Sequence, residues 1–292
     1  MAKENKIKDL TDVLVDGEGK RQADILEADL KAGLVALESG YYKQAWDHFY
    51  GLYAMTFAES KLDKHEESEF FYIKGEAAYG LCKVMQEVSP KDDLIQEIMT
   101  TDPDLVRKAK TKSISPDFAR KFVGRKYLKY AADDCGNYGA MIEYAQNCVA
   151  SGHSKSFVFD YNDRDAQIGV QWANRILLSS SRIHKAHAYM IHAKYHFARF
   201  TREKNKEEAQ AFCENVMAGM AQDESNEYVK YFYAHICSNP NFQTFEGGKH
   251  FNPKRGYELF AEVMEIATDP DIASSARNIK TMLETKYPQK IK

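Results

Sequence analysis

Four histidines within thirteen residues, His184, His187, His192 and His196, are the first place to look for chemistry in this chain. His192 and His196 stand one helical turn apart, the spacing at which two imidazoles can hold one metal ion. No carboxylate lies three residues from either to complete a metal motif, and both flank Ala193, a small residue suited to a helix seam. The set therefore reads as packing histidines, with metal binding or catalysis by the His184–His196 helix as the alternative. The adjacent carboxylates Asp92 with Asp93 and Asp133 with Asp134 read as solvated, since neighbours on a helix point about 100° apart and cannot share an ion unaided. Dinucleotide, zinc-protease and nucleophile-elbow motifs are absent, and "EGGKH" lacks the first Gly and the Ser or Thr of a phosphate loop. No catalytic residue, cofactor or metal is expected. The five cysteines, Cys82, Cys135, Cys148, Cys213 and Cys237, are odd in number with no C-x-x-C spacing, which argues for small buried hydrophobes.

Charge is unevenly placed although the net is only −3. Residues 59–104 hold twelve Asp or Glu against five Lys, whereas 107–129 hold nine Lys or Arg against Asp117 alone. On a helix from Asp117, Lys121, Arg125 and Lys129 form one stripe that includes Phe118 and Phe122, and Val123, Tyr127, Tyr130 and Ala131 face the other way. Such a stripe suits an acidic protein or a phosphate backbone, or it neutralises the acidic helix near 65–88. The last reading is preferred because the chain is not basic overall, so a nucleic-acid partner is an alternative and not the expectation.

The elements that position these groups are helices, because apolar residues recur at helical spacing nearly everywhere and no stretch alternates as a strand would. The pattern predicts helices over 22–39, 42–59, 65–88, 117–134, 137–151, 164–181, 183–201, 205–222, 225–238, 253–268 and 271–286. Residues 89–116 read as an insertion, 1–21 as an N-terminal extension and 287–292 as a tail. No apolar run approaches the ~18 residues that cross a bilayer, so no membrane contact is expected. "MAKENKIKDLTDVL" lacks a signal peptide's apolar region, which makes the cytoplasm the expected location.

"KAGLVALESGYYKQAWDHFY" places Gly33, Gly40, Ala45 and Phe49 where one helix, a tight turn and a second helix press together. It resembles a tetratricopeptide unit, matching the A-x3-F half of that signature, with Asp29, Ala32 and Ala36 in place of Trp, Leu and Tyr. "YLKYAADDCGNYGAMIEYAQNCVASG" resembles the related Sel-one-like repeat through Tyr127, Lys129, Ala131, Ala132, Gly136, Ala140, Tyr144 and Gly152, with Ala145 where that family usually has Gly. Trp172, Phe212 and Leu259 follow at intervals of forty and forty-seven residues, which suits hairpin repeats with variable loops. The resemblance spans 22–286. It implies an all-α, right-handed α-solenoid of about five helical hairpins that binds an unidentified protein or peptide without catalysis. An irregular helical bundle is the competing architecture.

First helices of such repeats line the concave face. Counting from Gly75, Ala145, Ala193 and Ala234 puts Tyr72, Glu76 and Tyr79, then Gln146, then His187 and Lys194, then Tyr228, Tyr231 and His235 on that face. Tyrosine offers wide contact area with few torsions to freeze, which suits a peptide groove, though the same tyrosines can be half-buried core.

Overall fold

A computed structural model describes residues 22–55, 64–149, 163–242 and 251–291, and every regular element among them is helical. The helices are α1 (Gln22–Glu38), α2 (Tyr42–Ala54), α3 (Lys64–Glu87), α4 (Asp93–Thr101), α5 (Pro103–Ala109), α6 (Pro116–Asp133), α7 (Tyr138–Val149), α8 (Asp163–Ile176), α9 (Arg182–Glu203), α10 (Lys206–Gln222), α11 (Glu227–Ser238), α12 (Pro253–Ile266), α13 (Pro270–Lys286) and α14 (Pro288–Ile291), with a 3-10 turn at Pro240–Phe242. The N-terminal extension 1–21, the end of the helix expected to reach 59, and Gly152 lie outside the described residues. Two compact units divide the chain, one of the described residues up to Tyr144 and one of those from Ala145.

In the first unit α1 ends in a turn that only a residue tolerating positive φ completes: Gly40 has φ 76°, its N–H donates to Leu37, and the Tyr41 N–H reaches Ala36. That reversal lays α2 against α1, as the sequence implies. Ala45 and Phe49 have no exposed surface, and a methyl added to Gly33 would stand 2.7 Å from the Phe49 ring. The same ring closes on Gly80 of α3, again at 2.7 Å, so one phenyl group sets the spacing of three helices. Lys74 of α3 then donates to the Met55 carbonyl just past α2, satisfying an orphan acceptor.

Residues 89–116, expected as an insertion, form the two short helices α4 and α5, which carry their own caps. The Asp92 carboxylate accepts from the Leu94 N–H, and Asp102 accepts from Asp104 and Leu105 ahead of Pro103. Leu94, Ile95, Ile98 and Leu105 are buried, and α4 packs against α6. Helix α6 in turn packs along α3, and Arg120 donates to the Met85 carbonyl near the end of α3. Helix α7 follows a turn in which Gly136 has φ 68°.

In the second unit consecutive helices pair, α9 with α10, α11 with α12 and α12 with α13, and alternate helices also touch, α9 with α11 and α11 with α13. Helix α11 supplies both cores: Val229, Phe232 and Ile236 join Met190, Phe212 and Val216, while Ala234 and Cys237 join Leu259, Phe260, Val263 and Leu283. Gly256 lets α12 lie directly on Ser238 and on the Ala234 carbonyl. Helix α8 stops at Ile176, short of the expected 181, because the serines that follow cap instead of continuing it. Ser179 accepts from the Ser181 N–H, and Ser181 accepts from His184 at the start of α9. The expected tail folds back as α14, with Tyr287 and Ile291 against the second core.

If Phe49 is held between two glycines, Gly80→Ala overpacks that contact by about 1 to 3 kcal/mol, more than the ~1 kcal/mol it gains in helix propensity. Thermal unfolding is expected to show a lowered Tm for Gly80→Ala and no penalty, or a gain, when Phe49→Leu is also present. Equal effects in both backgrounds would contradict the contact.

Candidate binding surface

Of the three residues expected on the face of α3, Tyr72 is 61 % exposed and the other two are engaged inside the first unit. The Tyr79 hydroxyl donates to Glu143 at 2.7 Å; Lys83 at 2.5 Å and the Gln86 amide donate to the same carboxylate. Burial and Glu143 push the Tyr79 phenol far above its ordinary range. Glu76 accepts from the Asn137 amide at 2.8 Å, and burial raises its carboxyl. Tyr79 and Glu76 therefore tie α3 to the residues around α7. Gln146, on α7, is half-buried and belongs to the second unit.

The second unit brings its expected residues together. Lys194 extends from α9 until its ammonium stands 4.7 Å from the centre of the Tyr228 ring, and the His187 ring meets Tyr228 edge-on at 6.2 Å. Asn226 caps α11 by accepting from Tyr228 and Val229, while its amide donates to His187 Nε2 at 3.2 Å. The Tyr228 hydroxyl donates to Asp269, itself the cap of α13, and the Tyr231 hydroxyl bonds Ser275 at 2.7 Å. Alternate helices α9, α11 and α13 are thus joined through one row of side chains.

Lys194 forms no ion pair or hydrogen bond among the described residues; the ring of Tyr228 is its partner. Burial pushes its ammonium down to about 8, and the more distant Asp269 and Glu227 oppose this only in part. Both carboxylates are committed elsewhere, Asp269 as above and Glu227 to the Thr268 N–H and hydroxyl. Lys194, partly exposed, keeps three N–H donors that no described acceptor takes.

His235 sits deeper than the face implied by counting. Its ring lies 4.7 Å from Tyr231, 5.3 Å from Phe260 and 5.5 Å from Phe197. The residue keeps some exposure overall, but Nε2 is buried without a partner, and burial pushes the imidazole down to about 4. It is a core residue between the two clusters of this unit.

The four histidines of α9 diverge. His184 meets Ser179, His187 meets Asn226, His192 donates to Asn174 of α8, and His196 donates to Glu208 of α10 at 2.7 Å. Each stabilises a different neighbour, and no group of three or more potential ligands converges among the described residues. Asp133 and Asp134 are exposed, whereas Asp92 is a helix cap. None of the five cysteines is in a disulfide, and four of them are buried.

Within the basic segment and just ahead of it, Asp102, Asp104 and Asp117 take up several of the cations, Lys121 of the anticipated stripe among them. Lys126 pairs with Asp102 and Asp104 at 3.0 Å, Arg107 with Asp104 at 2.7 Å, and Arg120 and Lys121 with Asp117. Helix α3, the acidic helix, contributes the Met85 and Gln86 backbone carbonyls to Arg120.

His235 makes the second unit sensitive to acid. The unfolded imidazole titrates near 6.5 and the folded one near 4, so the folded state is penalised as pH falls below 6.5, and the penalty is complete below 4. Urea unfolding is expected to show about 2 kcal/mol less stability at pH 5 than at pH 7 from this residue, and His235→Phe to remove that part. An unchanged pH dependence in the variant would refute the assignment.

No protein-family model, no curated protein and no solved structure matches this chain.

Proposed function

We propose that the chain is a non-catalytic, cytoplasmic scaffold of the tetratricopeptide and Sel-one-like kind, a right-handed α-solenoid whose α9–α11 face takes a peptide. The observation that carries this reading is the row His187, Lys194, Tyr228 and Tyr231, partly exposed residues in which the Tyr228 ring lies against an ammonium with unused donors. Packing of alternate helices in the second unit supports it, since that is how hairpin repeats assemble one continuous face from their first helices. Tyr228 and Tyr231 are fixed through Asp269 and Ser275, so little entropy remains to be lost when a ligand covers them.

The test is selection of peptides from a displayed library on the whole protein, followed by titration of the enriched peptides against His187→Ala with Lys194→Ala. Affinity is expected to fall about tenfold or more, the loss of a contact worth ~1.4 kcal/mol, with helix content unchanged by circular dichroism. Peptides that bind the variant as tightly as the parent would place recognition elsewhere and refute this face.

A further inference from the structure

At the corner where α5 turns into α6, Phe118 and Phe122 lie one turn apart with rings 5.9 Å apart and nearly parallel, at 12°. The ammonium of Lys112 stands 4.8 Å over Phe118, and that of Lys108 stands 5.0 Å over Phe122. Lys110, between them in sequence, is exposed, as is Lys112, and Lys108 is half-exposed. None of the three forms an ion pair among the described residues. The three carboxylates of residues 102–129 pair with other cations: Asp102 and Asp104 with Lys126, Asp104 also with Arg107, and Asp117 with Arg120 and Lys121. Residues 102–129 hold nine basic side chains against these three carboxylates, so the segment that carries Lys108, Lys110 and Lys112 is strongly basic.

We propose that this corner of the first unit docks an acidic peptide segment of a partner protein, whose carboxylates meet Lys108, Lys110 and Lys112. The phenyl rings hold two of these lysines in place, which lowers the side-chain entropy a carboxylate must otherwise freeze on pairing. A single-stranded nucleic acid fits less well: bases need open aromatic faces to stack on, and here the rings face each other and the ammonium groups. This site is independent of the α9–α11 face and stands or falls without it.

Fluorescence anisotropy of a short labelled polyglutamate peptide with the full chain at low ionic strength tests the proposal. Binding is expected, weakening as salt rises, and K108E/K110E/K112E is expected to weaken it about tenfold or more. K206E/K254E/K286E makes the same change of net charge at exposed positions of the second unit and is expected to leave affinity within about twofold. If circular dichroism shows the first variant unfolded, K108Q/K110Q/K112Q replaces it with the same expected direction. Absence of binding, or equal loss in both triple variants, would overturn the proposal. So would tighter binding of polyuridylate RNA with the same lysine dependence, which would assign the corner to nucleic acid.

Discussion

Helix spacing in both units is set where a residue with little or no side chain faces a bulky one. Phe49 between Gly33 and Gly80 is the clearest case, because the ring touches both glycines and has no room to retreat. Any Cβ there must push a helix outward, and tightly packed interiors transmit such a displacement. In the second unit Gly219 of α10 plays the same part against the Met190 side chain, and Gly256 brings α12 onto α11, the helix that walls both hydrophobic clusters. Helices α9 and α11 touch, as do α11 and α13.

That contact has a chemical result. Once α11 is seated beside α9, Tyr228 slides under the Lys194 side chain and points its hydroxyl at Asp269. The carboxylate that would otherwise neutralise the ammonium is thereby spent on a phenol and a helix cap. The same arrangement recurs in the first unit, where Asp102, Asp104 and Asp117 are consumed by Lys126, Arg107, Arg120 and Lys121, and Lys108, Lys110 and Lys112 are left over. Aromatic rings hold three of these cations in place, Tyr228 beside Lys194, Phe122 beside Lys108 and Phe118 beside Lys112.

Much of the helical frame was legible. Apolar periodicity located eleven of the helices, and Gly33, Gly40, Ala45 and Phe49 announced the first hairpin because all its parts lie close in sequence. Gly80 was not legible as the second jaw on Phe49, since periodicity gives the face of a helix but not the ring it meets. Helices α4 and α5 are too short for periodicity to register, and Asp92, read as solvated, and Asp102 before Pro103 act as their caps. Counting from small residues selected His187, Lys194, Tyr228 and Tyr231, which α9 and α11 bring close together. Applied to Tyr79 and His235 the same rule reached inward-facing residues, because it cannot see that Glu143 waits opposite one and an aromatic box surrounds the other. Asn226, Asp269 and Ser275 went unread as partners; each acts through a neighbour distant in sequence.

The central claim is that Lys194 carries an ammonium left without a counter-ion between α9 and α11. A pH titration of the lysine side chains by carbon-13 nuclear magnetic resonance tests it most directly. The structure predicts one lysine resonance titrating near 8 that is absent from the spectrum of Lys194→Gln. If the resonance lost in that variant does not titrate near 8, Lys194 is paired or fully hydrated and the account of this face is contradicted.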